Sequence, residues 1–128
     1  MFFNIDPRNG LAIYDQIVRQ IKFAVANDSL RSGDLVPSVR ELARELAVNP
    51  NTVSRAYREL QSESLLATVR GTGLEITDGA RKQCRQERVH LIGERLRSVL
   101  LEAKQSGLDA EEVRTLFDRE LSKVVNQR

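Results

Sequence analysis

Residues 36–60 read VPSVRELARELAVNPNTVSRAYREL, and this stretch decides the fold. Ser38 suits a helix N-cap, with Glu41 three residues later completing a capping box. The helix it opens carries Val39, Leu42, Ala43 and Leu46 on one face and Arg40, Arg44 and Glu45 on another. Ala47-Val48 makes a tight turn. Asn49 then caps a further helix with Pro50 at its first position, where the missing amide proton costs nothing. Val53, Ala56, Tyr57 and Leu60 form its inner face, which continues to Leu65. Two short amphipathic helices joined by a tight turn make a helix-turn-helix.

On the amino-terminal side, NIDPRNG (residues 4–10) is turn-rich and reads as an irregular arm. From Leu11 a helical stripe follows, with Ile13, Ile17, Ile21 and Val25 at i+4 and Tyr14, Val18 and Ala24 beside it. It ends near Asn27-Asp28-Ser29, and a short extended piece, Asp34-Leu35-Val36, leads to Pro37. On the carboxy-terminal side the period changes. Leu66–Val69 and Leu74–Thr77 are β-like pieces around Arg70-Gly71-Thr72-Gly73, a hairpin with glycines where positive φ is expected. Three helices followed by a hairpin is the order of a winged helix-turn-helix, assigned to residues 1–78.

Residues 79–128 read as a two-helix segment. A long helix runs from Asp78-Gly79 to about Ser106, stopped by Gly107. Its apolar positions, Val89, Ile92, Leu96, Val99, Leu100 and Ala103, are spaced nearly as in a coiled-coil seam. A last helix starts at Asp109, capped with Glu112, and carries Val113, Leu116, Phe117, Leu121, Val124 and Val125. Two helices of about 45 residues together cannot close a core alone. The simplest partner is an identical chain, so Val89, Ile92, Leu96, Val99, Leu100, Ala103, Leu116, Phe117 and Leu121 are the expected dimer interface. The α-rich fold class is therefore a winged helix-turn-helix with a small β-wing, followed by a dimerisation segment.

Composition narrows the function. The chain has 128 residues, with 20 Lys+Arg, 18 Asp+Glu, one His and one Cys. No apolar run approaches the ~20 residues that cross a bilayer, and MFFNIDPRNG lacks a secretory core. The lone Cys84 forms no internal disulfide, so a cytoplasmic protein is the expectation. One His and one Cys cannot build a His/Cys-rich metal site without carboxylates or a second chain. His90 and Cys84 stand six residues apart, off a common helical face, so neither metal nor cofactor is expected. No phosphate loop, dinucleotide fingerprint or metalloprotease motif occurs, Glu111-Glu112 is a helix-start pair, and no enzyme activity is expected. Residues 1–78 hold 9 basic and 10 acidic side chains, and residues 79–128 hold 11 and 8. Any basic surface on the first half thus depends on where its arginines stand.

Arg40, Arg55, Arg58 and Arg70 fall on the segments that could read DNA. In a helix-turn-helix the second helix enters the major groove amino end first. Here its outward residues are Asn51, Thr52, Ser54, Arg55 and Arg58, with Asn49 at the cap. Asn can bond an adenine edge bidentately, Thr offers a hydroxyl and a methyl for thymine, and Arg reaches guanine or phosphate. A polar outer face is also what any surface helix shows; the turn, the partner helix and the hairpin in order favour DNA. Arg40 opens the preceding helix, where a cation is mildly unfavourable for the dipole unless it faces phosphate; the alternative is a weak surface ion pair with Glu41 or Glu45. Arg70-Gly71-Thr72-Gly73 is the wing tip, where glycines let the backbone approach a duplex; the alternative is an ordinary hairpin turn.

The residues also resemble a family. Residues 36–76 look like the DNA-binding domain of GntR-family bacterial regulators. VNPNTVSRAYREL and IDPRNGLAIYDQIVRQIKFAVANDSLRSGD are similar to its YtrA-type branch, in which a short two-helix dimerisation segment follows. The resemblance implies that Arg40 contacts phosphate, that Asn51 and Thr52 contact DNA, and that the wing contacts it around Arg70 to Gly73. Many members have arginine where this chain has Pro50 and Ser54, and Arg55 and Arg58 are the residues left to take over. Ser64 stands where the family usually has glycine, and Leu74-Glu75-Ile76 replaces Thr-Phe-Val. The expectation is a homodimeric, sequence-specific repressor that binds an inverted repeat. The resemblance points to transporter operons as targets, and no effector is identified. The alternative is a non-enzymatic winged helix that binds protein, favoured by the near-neutral first half.

Overall fold

The structure, a computed structural model, describes residues 4–127; residues 1–3 and 128, the outer ends of the two expected domains, lie outside it. Its elements are α1 (Ile13–Ala26), α2 (Val39–Leu46), α3 (Pro50–Ser62), β1 (Leu66–Val69), β2 (Gly73–Ile76), α4 (Ala80–Gln105) and α5 (Ala110–Val125). By contacts the chain divides into residues 1–88 and 89–128.

In the first unit α1 supplies the core with Ile17, Val18, Ile21 and Val25. It starts at Ile13 and not at Leu11, because Gly10 turns at φ +89° and Ala12 is still extended. The arm before it is less irregular than its composition suggests. Buried Gln16 accepts from Asp6 N–H (3.0 Å) and donates to the carbonyls of Asp6 (2.8 Å) and Leu11 (3.0 Å). Gln20 bonds Asn4 N–H and C=O in the same two-way fashion at 2.9 and 2.6 Å. A carboxamide has both a donor and an acceptor, so each side chain satisfies backbone that would otherwise need a strand partner.

The capping box of α2 forms as its sequence dictates. Ser38 Oγ accepts from Glu41 N–H at 3.1 Å and Glu41 Oε1 accepts from Ser38 N–H at 3.2 Å. Those bonds hold the Glu41 carboxyl below its ordinary range, so their contribution is present near neutrality and fades as acid protonates it. Ala47 then turns the chain in the left-handed region, at φ +54°. Leu42, Ala43, Val53, Ala56, Tyr57 and Leu60 complete the helical core; Leu65 is buried as expected, but beyond α3, which ends at Ser62.

The wing pairs Leu66 with Ile76 through Val69 with Gly73. β2 begins at Gly73, one residue before the expected Leu74. Its other edge is covered by the extended piece before α2: Gly33 N–H donates to Ile76 O, Ile76 N–H to Asp34 O, and Val36 N–H to Leu74 O, at 2.8, 2.9 and 3.0 Å. The first turns of α4 also pack in this unit, where Ala80 and Cys84 are fully buried. Burial pushes the Cys84 thiol up to about 11. Arg81 and Arg85 bind Asp28 at 3.0 and 3.2 Å, and Arg85 Nε donates to Ala26 O at 2.9 Å.

Ser64, between α3 and β1, adopts φ +62°. A side chain there costs about 1–2 kcal/mol relative to glycine, of which glycine's greater freedom in the unfolded chain returns part. Ser64→Gly is therefore expected to stabilise the protein by about 0.5–1 kcal/mol. A thermal melt checks this, and an unchanged or lower Tm counts against the strain.

The second unit holds α4 from Val89 onward and all of α5. Gly107, at φ +95°, ends α4. Asp109 and Glu112 form the capping box of α5 at 3.1 and 2.8 Å. Leu96, Leu100, Val113 and Phe117 line one cleft of about 240 Å³; Leu91 and Val113 are half-buried, yet the other large apolar residues of both helices remain exposed, from 38% for Leu116 to 73% for Val89.

Candidate nucleic-acid interface

The helix expected to enter the major groove is α3. Asn49 Oδ1 accepts from Asn51 N–H at 2.8 Å, and Pro50 occupies the first position. Asn49 therefore does cap, and its amide NH2 makes no hydrogen bond among the described residues. With Val53, Ala56, Tyr57 and Leu60 buried, Asn51, Arg55 and Arg58 are exposed and Thr52 and Ser54 half-buried. Tyr57 fixes this helix against the start of α2, since its hydroxyl donates to Pro37 O at 2.7 Å. Burial of the phenol raises its pKa well above the usual tyrosine value, with the Glu41 and Glu45 charges adding to the shift.

Arg40 is exposed on the first turn of α2. The alternative of an ion pair with Glu41 does not form: no carboxylate lies within 4.0 Å of Arg40 among the described residues, and Glu41 Oε1 is taken by Ser38 N–H. Arg58 and Arg70 likewise have no ion-pair partner among the described residues. Arg19, Lys22, Arg81 and Arg85 are paired, whereas Arg8, Arg31, Arg44, Lys82 and Arg88 have no ion-pair partner among the described residues. At the wing tip Arg70, Gly71, Thr72 and Gly73 are exposed; the glycines sit at φ +77° and +128°, and Thr72 N–H donates to Val69 O at 3.0 Å. The half-buried Glu75 faces Ala67 across the hairpin, two pairs back from the Val69–Gly73 end.

Two contacts have no signal in spacing or composition. The guanidinium carbon of Arg55 lies 3.7 Å from the centroid of the Tyr14 ring on α1. Lys22 is buried between Glu63 and Glu87, 2.9 Å from each. Burial alone would lower its pKa, but hydrogen bonds to Glu87 and Glu63 outweigh it and the ammonium is held above its ordinary value. Among the described residues no group of three His, Cys, Asp or Glu could hold a metal. His90 is exposed and pairs with Glu94 at 3.1 Å.

The family described as bacterial regulatory proteins, gntR family, matches residues 13–76. The chain is 38% identical over 109 residues to the HTH-type transcriptional repressor YtrA of Bacillus subtilis, covering 85% of this chain and 84% of that protein. Among solved structures it resembles a transcriptional antiterminator from Listeria monocytogenes, with a TM-score of 0.67, 32% identity, and coverage of 99% of this chain and 95% of that one. It also resembles YtrA from Sulfolobus acidocaldarius, a GntR-family transcription factor, with a TM-score of 0.59 and 31% identity over 78% of this chain and 99% of that one.

Proposed function

Because the chain belongs to the gntR family of bacterial regulatory proteins, and so is a DNA-binding transcription regulator, we propose that it acts in the cytoplasm as a homodimeric repressor of a promoter carrying an inverted repeat. The observation that carries the dimer is the exposure of Val89, Ile92, Leu96, Val99, Leu100, Leu116, Phe117 and Leu121 on two adjacent helices. An isolated pair of helices with that much apolar surface in water is unstable. A two-fold axis through such a contact presents two recognition helices to two half-sites in opposite orientation.

In each half-site the amino end of α3 enters the major groove. Asn51, Thr52 and Ser54 face base edges, Arg55 and Arg58 reach guanine or phosphate, and the free amide of Asn49 meets backbone. Arg40 on one side, and Arg70 with Gly71, Thr72 and Gly73 on the other, bind phosphate. Residues 1–78 read DNA, the first turns of α4 brace them, and the rest of 79–128 assembles the dimer. Repression follows from occupancy of the promoter, and a signal that alters the spacing of the recognition helices relieves it.

Selection of bound duplexes from a random pool, with sedimentation of the protein alone, tests this. Enrichment of an inverted repeat by a dimer is the expected result; a single unpaired half-site or a monomer overturns it. On the selected duplex, Arg40→Ala is expected to weaken binding about fivefold and to flatten the logarithmic salt dependence by about one unit. Parental affinity and slope would remove Arg40 from the interface.

A further inference from the structure

We infer that Tyr14 is a positioning residue for DNA recognition: its ring holds the Arg55 guanidinium in the plane from which it reads the operator. The inference rests on the DNA reading of α3 proposed above. Arg55 is exposed on the outward face of α3, one turn beyond Asn51. An exposed arginine ordinarily samples many rotamers, and all of that freedom is lost when it docks on a base or a phosphate. Here the guanidinium already lies over the Tyr14 ring, 3.7 Å from its centroid. Stacking engages the face of the guanidinium and leaves its edge, where every N–H points. Among the described residues none of those donors is used. The group is thus oriented without being neutralised, the condition for a bidentate contact made at low entropic cost.

The ring comes from a different helix. Tyr14 sits on the first turn of α1, half-buried against the core, so its own position is set by packing and not by the arginine. Where Pro50 and Ser54 supply no cation, a pre-oriented Arg55 is the side chain of α3 best placed to discriminate a base. Arg58, one turn further on, has no such support.

Affinities of the full chain for the selected operator and for a random duplex test this, using Tyr14→Leu, Tyr14→Phe, Arg55→Ala and the double variant Tyr14→Leu/Arg55→Ala. Arg55→Ala is expected to weaken operator binding about tenfold. Tyr14→Leu is expected to weaken it about fivefold, the size of an exposed cation–π contact together with lost preorganisation. Random duplex is bound by Tyr14→Leu as by the parent, and Tyr14→Phe, which keeps the ring, stays within twofold. In the double variant the leucine adds nothing to the alanine. Effects that multiply, or a Tyr14→Leu loss equal on both duplexes, overturn the positioning role. Parental operator affinity in Arg55→Ala overturns the assignment of Arg55 and the role of Tyr14 with it, while leaving the other α3 contacts standing. A parent that enriches no duplex instead fails the DNA reading itself. If Tyr14→Leu does not fold, the Arg55 side-chain protons of the parent decide: an upfield ring-current shift that persists in Tyr14→Phe supports the stack, and its absence overturns it.

Discussion

Leu96→Asp is expected to convert the protein to a monomer in sedimentation equilibrium and to weaken operator binding about a hundredfold. Leu96 lies at the middle of the apolar row Val89, Ile92, Leu96, Val99 and Ala103, and is 41% exposed in the single chain. In a two-fold interface the substitution places two carboxylates in the same apolar contact, each costing several kcal/mol to desolvate unpaired. Losing the dimer separates two half-site contacts that were effectively intramolecular, a loss of about 10²–10⁴ in affinity. Weak binding to an isolated half-site remains, because α3, the wing and their core lie in the other unit. A dimer that survives Leu96→Asp would mean that these helices are not the contact between chains.

The second large effect belongs to Lys22. Its side chain is only 6% exposed, while those of Glu63 and Glu87 are 31% and 26% exposed. One oxygen of Glu87, Oε2, is buried with no hydrogen-bond partner among the described residues. Lys22→Met keeps most of the stem but strands two carboxylates beside each other. Removing one partner of a fully buried ion pair costs about 3–5 kcal/mol; partial solvation of the two glutamates reduces that here to about 2–3 kcal/mol. The expected fall in Tm is about 10 °C or more for a unit of this size. The deficit is largest where the parent's ammonium is charged. The raised ammonium contributes fully below its ordinary value near 10.5 and is lost as pH rises through the native value. Melts of both proteins between pH 4 and 11 check this, and a deficit that does not change with pH would make the loss one of packing alone.

Local chemistry made most of the architecture readable from the residues alone. Ser38 with Glu41, Asn49 with Pro50, and Asp109 with Glu112 each fix a helix start within a few residues, and each forms its bonds as the types dictate. Gly71 and Gly73 mark the wing because few other residues accept their φ. What escaped depends on contacts distant in sequence. Gln16 and Gln20 fall on α1 as ordinary polar residues, and nothing in their spacing says that they bind the arm. Lys22 neighbours an apolar stripe, and only the approach of Glu63 and Glu87, 41 and 65 residues away, makes its burial tolerable. Asp34-Leu35-Val36 reads as extended, but its place beside β2 is settled by tertiary pairing. The stack of Tyr14 on Arg55 joins two faces that periodicity treats separately. The outward face of α3 was legible as a surface, therefore, and its support was not.

Cys84 adds an experimental handle. It is the only cysteine in the chain, fully buried where α4 packs in the first unit, with its thiol pushed up to about 11. At neutral pH about one thiol in 10⁴ is ionised, and no reagent reaches it while the unit is closed. Alkylation therefore proceeds through transient openings, at a rate set by their population. Any duplex that binds only the closed form slows that reaction in proportion to its occupancy. A mass shift at one atom, followed over time, thus becomes a clock that reports both the opening of the winged unit and its grip on DNA, with no label on either molecule.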